Sequence, residues 1–107
     1  MSAHFQYKAG DTAPAFRIQL LNMVGLPQDL TGATARLLVF KPSGKKLAGA
    51  LTVEGGTDGY VNRSWATGDL NESGIYLAEV EVTFSGGATQ TYPAYGHIRL
   101  IVSEQLD

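Results

Sequence analysis

The chain of 107 residues contains no cysteine, which excludes disulfide bridges and thiolate metal sites and leaves the redox compartment unmarked. Histidine is nearly as scarce: His4 and His97 are the only two. With no serine in a nucleophile-elbow context, a hydrolytic triad has no parts to draw on, so the expectation is a protein without catalytic residues. The glycines follow neither the GxGxxG nor the P-loop spacing and read as turns, and no cofactor is expected. No window approaches the ~20 apolar residues of a membrane span, and the first ten residues lack the apolar core of a secretory signal. The formal charge of −2 mixes both signs, with Lys45-Lys46 the only cationic pair. Neither nucleic acid nor membrane is therefore an expected partner, and synthesis in the cytoplasm without a signal peptide is expected.

What the chain does have is period-2 alternation. Residues 75–84 form its longest run of β-favouring side chains, bounded by Gly74 and by Gly86-Gly87. Val80, Val82 and Phe84 fall on one side, with Glu79, Glu81 and Thr83 on the other, the mark of a half-buried strand. Its first half, Ile75, Tyr76, Leu77 and Ala78, is apolar on both sides and requires cover on both.

The remaining strands follow the same logic. Residues 15–22 place Phe16, Ile18 and Leu20 on one face, and residues 33–41 place Ala33, Ala35, Leu37 and Val39 inward, because Arg36 marks the other phase as outer. Leu38 and Phe40 are then apolar residues on an outer face. Residues 47–54 give a third strand weakened by Gly49, and residues 60–66 a fourth, with Val61, Arg63 and Trp65 in phase. Trp65 is the expected core centre, with Arg63 near a strand end and its head in water. Leu30 and Leu70 are expected to plug loops. A two-residue hairpin at residues 86–87 would put odd numbers inward after it, whereas Ile98, Leu100 and Val102 need even numbers inward. A one-residue slip between Thr91 and Ile98, near Pro93 and Gly96, would reconcile the two.

These elements give one domain of about seven strands at residues 10–107, an antiparallel β-sandwich of immunoglobulin-like type, with a closed small barrel as the other architecture. Residues 1–9 read as a frayed N-terminal arm. Asp58, Asp69 and Glu72 match no calcium-loop spacing, and turn capping accounts for each, so no metal is expected. Tyr60, Tyr76, Tyr92 and Tyr95 fall within or beside strands, where packing explains them more simply than sugar stacking. Leu38, Phe40, Ile75 and Leu77 remain, four apolar side chains out of phase with the core, and they form the candidate interface.

The order of Gly10-Asp11-Thr12, Asp29-Leu30-Thr31-Gly32-Ala33, Phe40-Lys41-Pro42-Ser43-Gly44, Asp58-Gly59, Gly74-Ile75-Tyr76 and the final strand at residues 98–102 resembles the N-terminal domain of the upper baseplate proteins of tailed bacteriophages. The resemblance spans nearly the whole chain. It implies an immunoglobulin-like domain that assembles with copies of itself and with other phage tail or baseplate proteins. The expected function is therefore a structural virion protein located in the tail, with a stand-alone module recognising a glycan or another protein as the alternative. Members of that family usually continue beyond this domain into a receptor-facing part, whereas the sequence here stops at Asp107.

Overall fold

The computed structural model describes residues 4–106. Among them are eight strands and no helix: β1 (His4–Lys8), β2 (Phe16–Gln19), β3 (Thr34–Phe40), β4 (Lys46–Val53), β5 (Tyr60–Arg63), β6 (Gly74–Thr83), β7 (Thr89–Tyr92) and β8 (Ile98–Ser103). They build an all-β, immunoglobulin-like sandwich whose strands follow the path β1-β8-β6-β3-β4-β5-β2, with β7 beside β6. The turn from one layer to the other is made by β4. Its residues from Lys46 to Leu51 pair with β3, and Thr52 and Val53 pair with β5.

The longest strand, β6, lies at the middle of the larger layer. It pairs with β3 on one side, while β8 and β7 share its other side, β8 along its first half and β7 along its second. Tyr76, Ala78, Val80 and Val82 point into the core, and Ile75, Leu77, Glu79 and Glu81 point out. Facing them from the other layer are Phe16, Val61 and Trp65, all buried. The inward phases of β3, β6 and β8 are therefore those the alternation predicts, and Leu30 and Leu70 are buried as loop plugs. Each fully buried side chain of this kind contributes about 1.5–3 kcal/mol.

The ladder along β7 and β8 differs from the expected slip. Phe84 accepts from Gly87 N–H and donates to Ala88 O, so the hairpin loop holds Ser85, Gly86 and Gly87 rather than two residues. Val80 consequently faces Tyr92, and even numbers already point inward along β7. Further on, Ala78 faces Ile98: two steps along β6 are matched by six along the partner, four more than a continuous ladder needs. Four is even, so the inward phase survives the break without a one-residue slip. The extra residues, 93–96, loop out from the side of the sheet, halfway along β6 between β7 and β8.

The expected N-terminal arm is also corrected. Residues 1–3 lie outside the described residues, but His4–Lys8 is strand β1, paired in parallel with β8 from Arg99 to Ser103. Period 2 explains it, since Phe5 and Tyr7 face inward. Tyr7 packs edge-on to Trp65 with ring centroids 5.7 Å apart, and Phe5 packs on Phe16 at 5.0 Å. Phe16 meets Trp65 at 6.0 Å, so four rings close this flank of the sandwich across its two layers.

Arg63 departs from expectation as well. Its guanidinium turns inward to Asp69, whose Oδ2 accepts from Arg63 Nη2 at 2.9 Å and from Ala66 N–H at 2.8 Å. The turn-capping role expected of Asp69 is thus present. The hydroxyl of Tyr76 donates to Glu72 O at 2.7 Å and accepts from Glu72 N–H at 2.9 Å, a tyrosine corner of the kind found in immunoglobulin-like sandwiches. Glu72 in turn accepts from the backbone N–H and hydroxyl of Ser43, tying this corner to the β3–β4 turn.

Candidate functional site

The outer face of the larger layer brings three of the four expected interface residues together and sets the fourth beside them. Phe40 on β3 lies directly opposite Leu77 on β6, and Leu38 is two residues away on the same side of β3. Ile75 extends the row along β6 and faces Ile101 on β8. Phe40 and Ile75 are 47% and 52% exposed, and no loop among the described residues covers them. The loop at residues 23–27, one of the covers such a face might have had, lies instead at the cleft described below, beside Tyr95.

This face is divided by chemistry. Its Glu81 end is polar: Arg36 Nε donates to Glu81 Oε1 at 2.8 Å, and Thr34, Thr83 and Thr89 lie side by side across β3, β6 and β7. Its Ile75 end carries the apolar row. Arg99 flanks Leu77 on β8, Lys46 flanks Phe40 on β4, and Glu79 sits beside Leu38. Among the described residues the ion pairs are Arg17–Glu54, Arg36–Glu81 and Arg63–Asp69, so Lys46, Arg99 and Glu79 keep their charges unpaired around the apolar row. A shallow groove of about 520 Å³ runs between Leu38, Phe40, Ala48, Leu77 and His97.

The opposite layer offers a contrast. Arg17 makes a forked contact with Glu54, which also accepts from Asn62 Nδ2 at 2.7 Å, and the guanidinium lies 3.8 Å above the Tyr60 ring. These bonds, Arg17 first, hold the Glu54 carboxyl below the usual range. Arg17 and Glu54 satisfy each other, leaving no chemistry to offer a ligand. Among the described residues no group of three His, Cys, Asp or Glu side chains is placed to hold a metal ion. Asp69 and Glu72, weighed above for calcium, are committed to Arg63 and to Ser43.

A second concavity escaped the sequence reading. Between β2 and β7, the turn at residues 22–26 and the loop at residues 93–96 flank a cleft of about 370 Å³. Met23 is 100% exposed and Tyr95 86% exposed on its rim. The only hint in the sequence is composition, since Met23, Val24 and Tyr95 are large apolar or aromatic residues in turn-rich segments.

No family model matches the chain, and no curated protein matches it. Among solved structures, the fold is similar to the crystal structure of CopC from Methylosinus trichosporium OB3b, with a TM-score of 0.58 and 11% identity over 98% of this chain and 88% of that one. At that identity the likeness is one of fold, and it agrees with the immunoglobulin-like sandwich. The expectation of a structural virion protein of a bacteriophage tail or baseplate is corrected here: no family model or curated protein supports it, and the fold likeness runs to CopC instead.

Proposed function

We propose that the chain is a binding module without a catalytic role, and that it associates with a second copy of itself through the Ile75 end of the outer face. The observation that carries this is the outward apolar row of half-buried Leu38 and Leu77 and exposed Phe40 and Ile75 on two adjacent strands. Contiguous apolar surface on a sheet face is removed from water when a partner covers it. The unpaired charges suit a second copy, since the same face presents cations at Lys46 and Arg99 and a carboxylate at Glu79. A two-fold pairing sets a surface against itself, so a face bearing both signs around an apolar centre can complement its own copy.

The size of the face sets the strength. Five strands at a spacing of ~4.8 Å are about 24 Å wide, and the rows from Ile75 to Glu79 run about 14 Å along them. That footprint is well below the ~800 Å² per partner of a stable complex, so the dimer should be weak and concentration-dependent. Light scattering and sedimentation across a concentration series test it. Wild-type protein should shift from monomer to dimer, and Phe40→Asp should stay monomeric with an unchanged circular dichroism spectrum. A wild-type monomer at the highest attainable concentration would overturn self-association.

A further inference from the structure

We infer that the cleft between β2 and β7 is a small-molecule site that binds an uncharged, flat apolar molecule carrying one hydrogen-bonding group. Three observations lead there. The first is size and lining: about 370 Å³ bounded mainly by Ile18, Leu20, Met23, Tyr92, Tyr95 and Ile98, within the range of ligand pockets, which are apolar with few polar groups. No Asp, Glu, Lys, Arg or His lines it, so a charged ligand would lose its hydration without compensation.

The second is the orphan hydroxyl of Tyr92. This residue lines the cleft and is 6% exposed, and its hydroxyl is buried without a hydrogen-bond partner among the described residues. An unpaired buried donor is costly, and a ligand acceptor reaching it gains the bond that the protein leaves unmade. The third is that the rim is already ordered. Asn22 Oδ1 accepts from Val24 N–H at 3.0 Å and from Leu26 N–H at 3.1 Å, while Asn22 N–H donates to Leu26 O. With Gly25 at φ +84, the turn satisfies its own backbone and still holds Met23 in solvent. A pre-ordered turn with an adaptable thioether at its tip loses little entropy on closing over a flat ring. On the other rim, the loop at residues 93–96 offers the face of Tyr95 for stacking.

The test is an NMR titration with para-phenylphenol, with biphenyl as the analogue that lacks the hydroxyl. Saturable shifts are expected at Tyr92, Tyr95, Ile98 and the Met23 methyl. Tyr92→Phe should weaken para-phenylphenol by about tenfold and leave biphenyl unchanged, because one hydrogen bond is lost and no apolar contact. The variant should fold, since the replaced hydroxyl has no partner, and Met23→Ser, wholly in solvent, should fold and weaken both compounds. Absence of saturable shifts up to the solubility limit would overturn the inference. So would equal para-phenylphenol binding by Tyr92→Phe, or shifts confined to Phe40 and Leu77. Broadening of Met23 and Val24 by phosphatidylcholine vesicles, with neither compound binding, would assign the rim loops to a lipid surface and also overturn it.

Discussion

Arg63 Nη2 stands 2.9 Å from Asp69 Oδ2 beneath the corner between β5 and β6, and the space that its guanidinium fills is the space a side chain on residue 49 would need. Gly49 belongs to β4, opposite Leu37, and a Cβ there would overlap Arg63 Nη1. The glycine that weakens β4 by propensity therefore makes room for an ion pair between the layers. Removing one partner of a largely buried pair strands the other charge. Asp69→Ala should cost about 3 kcal/mol, and Gly49→Ala should cost less, because what it displaces is the far end of the flexible Arg63 side chain. Because both act on the same guanidinium, the double variant should be less destabilised than the sum of the singles, as read from chemical denaturation. Additive effects would show that Gly49 and Asp69 do not act through Arg63.

The tyrosine corner yields a separate expectation. Tyr76→Phe keeps the buried ring and removes the hydroxyl that serves both Glu72 N–H and Glu72 O. Two part-buried backbone groups lose a partner, so the loss should be about 1–2 kcal/mol with the denaturation slope unchanged. Amide hydrogen exchange at Glu72 should accelerate more than at Val80, since the damage is local to the corner.

Much of this fold was legible because each strand carries its own phase marker. Arg36 fixed the outer side of β3 and Glu79 and Glu81 that of β6, so Leu38, Phe40, Ile75 and Leu77 could each be set outward on their own strands, while the pairing of β3 with β6 is what joins them on one face. The hairpin length was not legible, since Ser85-Gly86-Gly87 permits either loop and only the register separates them. Nor was the partner of Arg63: the sequence marks Asp69 as a turn residue, and its ion pair depends on how the corner folds under β5. The cleft between β2 and β7 is less legible still, because its rims are about seventy residues apart and meet only in three dimensions.

Strand β1 makes a clear case for stability. A frayed arm would tolerate truncation of its side chains within about 0.5 kcal/mol. Tyr7 is instead buried against Trp65, and Tyr7→Ala should cost about 3 kcal/mol or more through lost area and a cavity beside the indole. Gln6→Ala, on the exposed side of the same strand, should be near neutral in the same denaturation series and so controls for the backbone pairing with β8.

The three buried tyrosines predict an alkaline limit. Burial raises the pKa of Tyr7, Tyr76 and Tyr92 above the usual value near 10. In the unfolded chain these phenols ionise at about pH 10, whereas in the fold they stay neutral to higher pH. The unfolded state therefore binds fewer protons than the native state above about pH 10, and stability falls as pH rises there. Below about pH 9 both states hold the proton and the three groups add no slope. One proton sets a ceiling of about 1.4 kcal/mol per pH unit for each phenol, and each contribution lies below it. Denaturant midpoints measured across the alkaline range, alongside tyrosinate absorbance, should show a late wave of ionisation that coincides with loss of the β-sheet signal. Tyr92→Phe should lessen the slope, and an unchanged slope would show that Tyr92 ionises equally in both states.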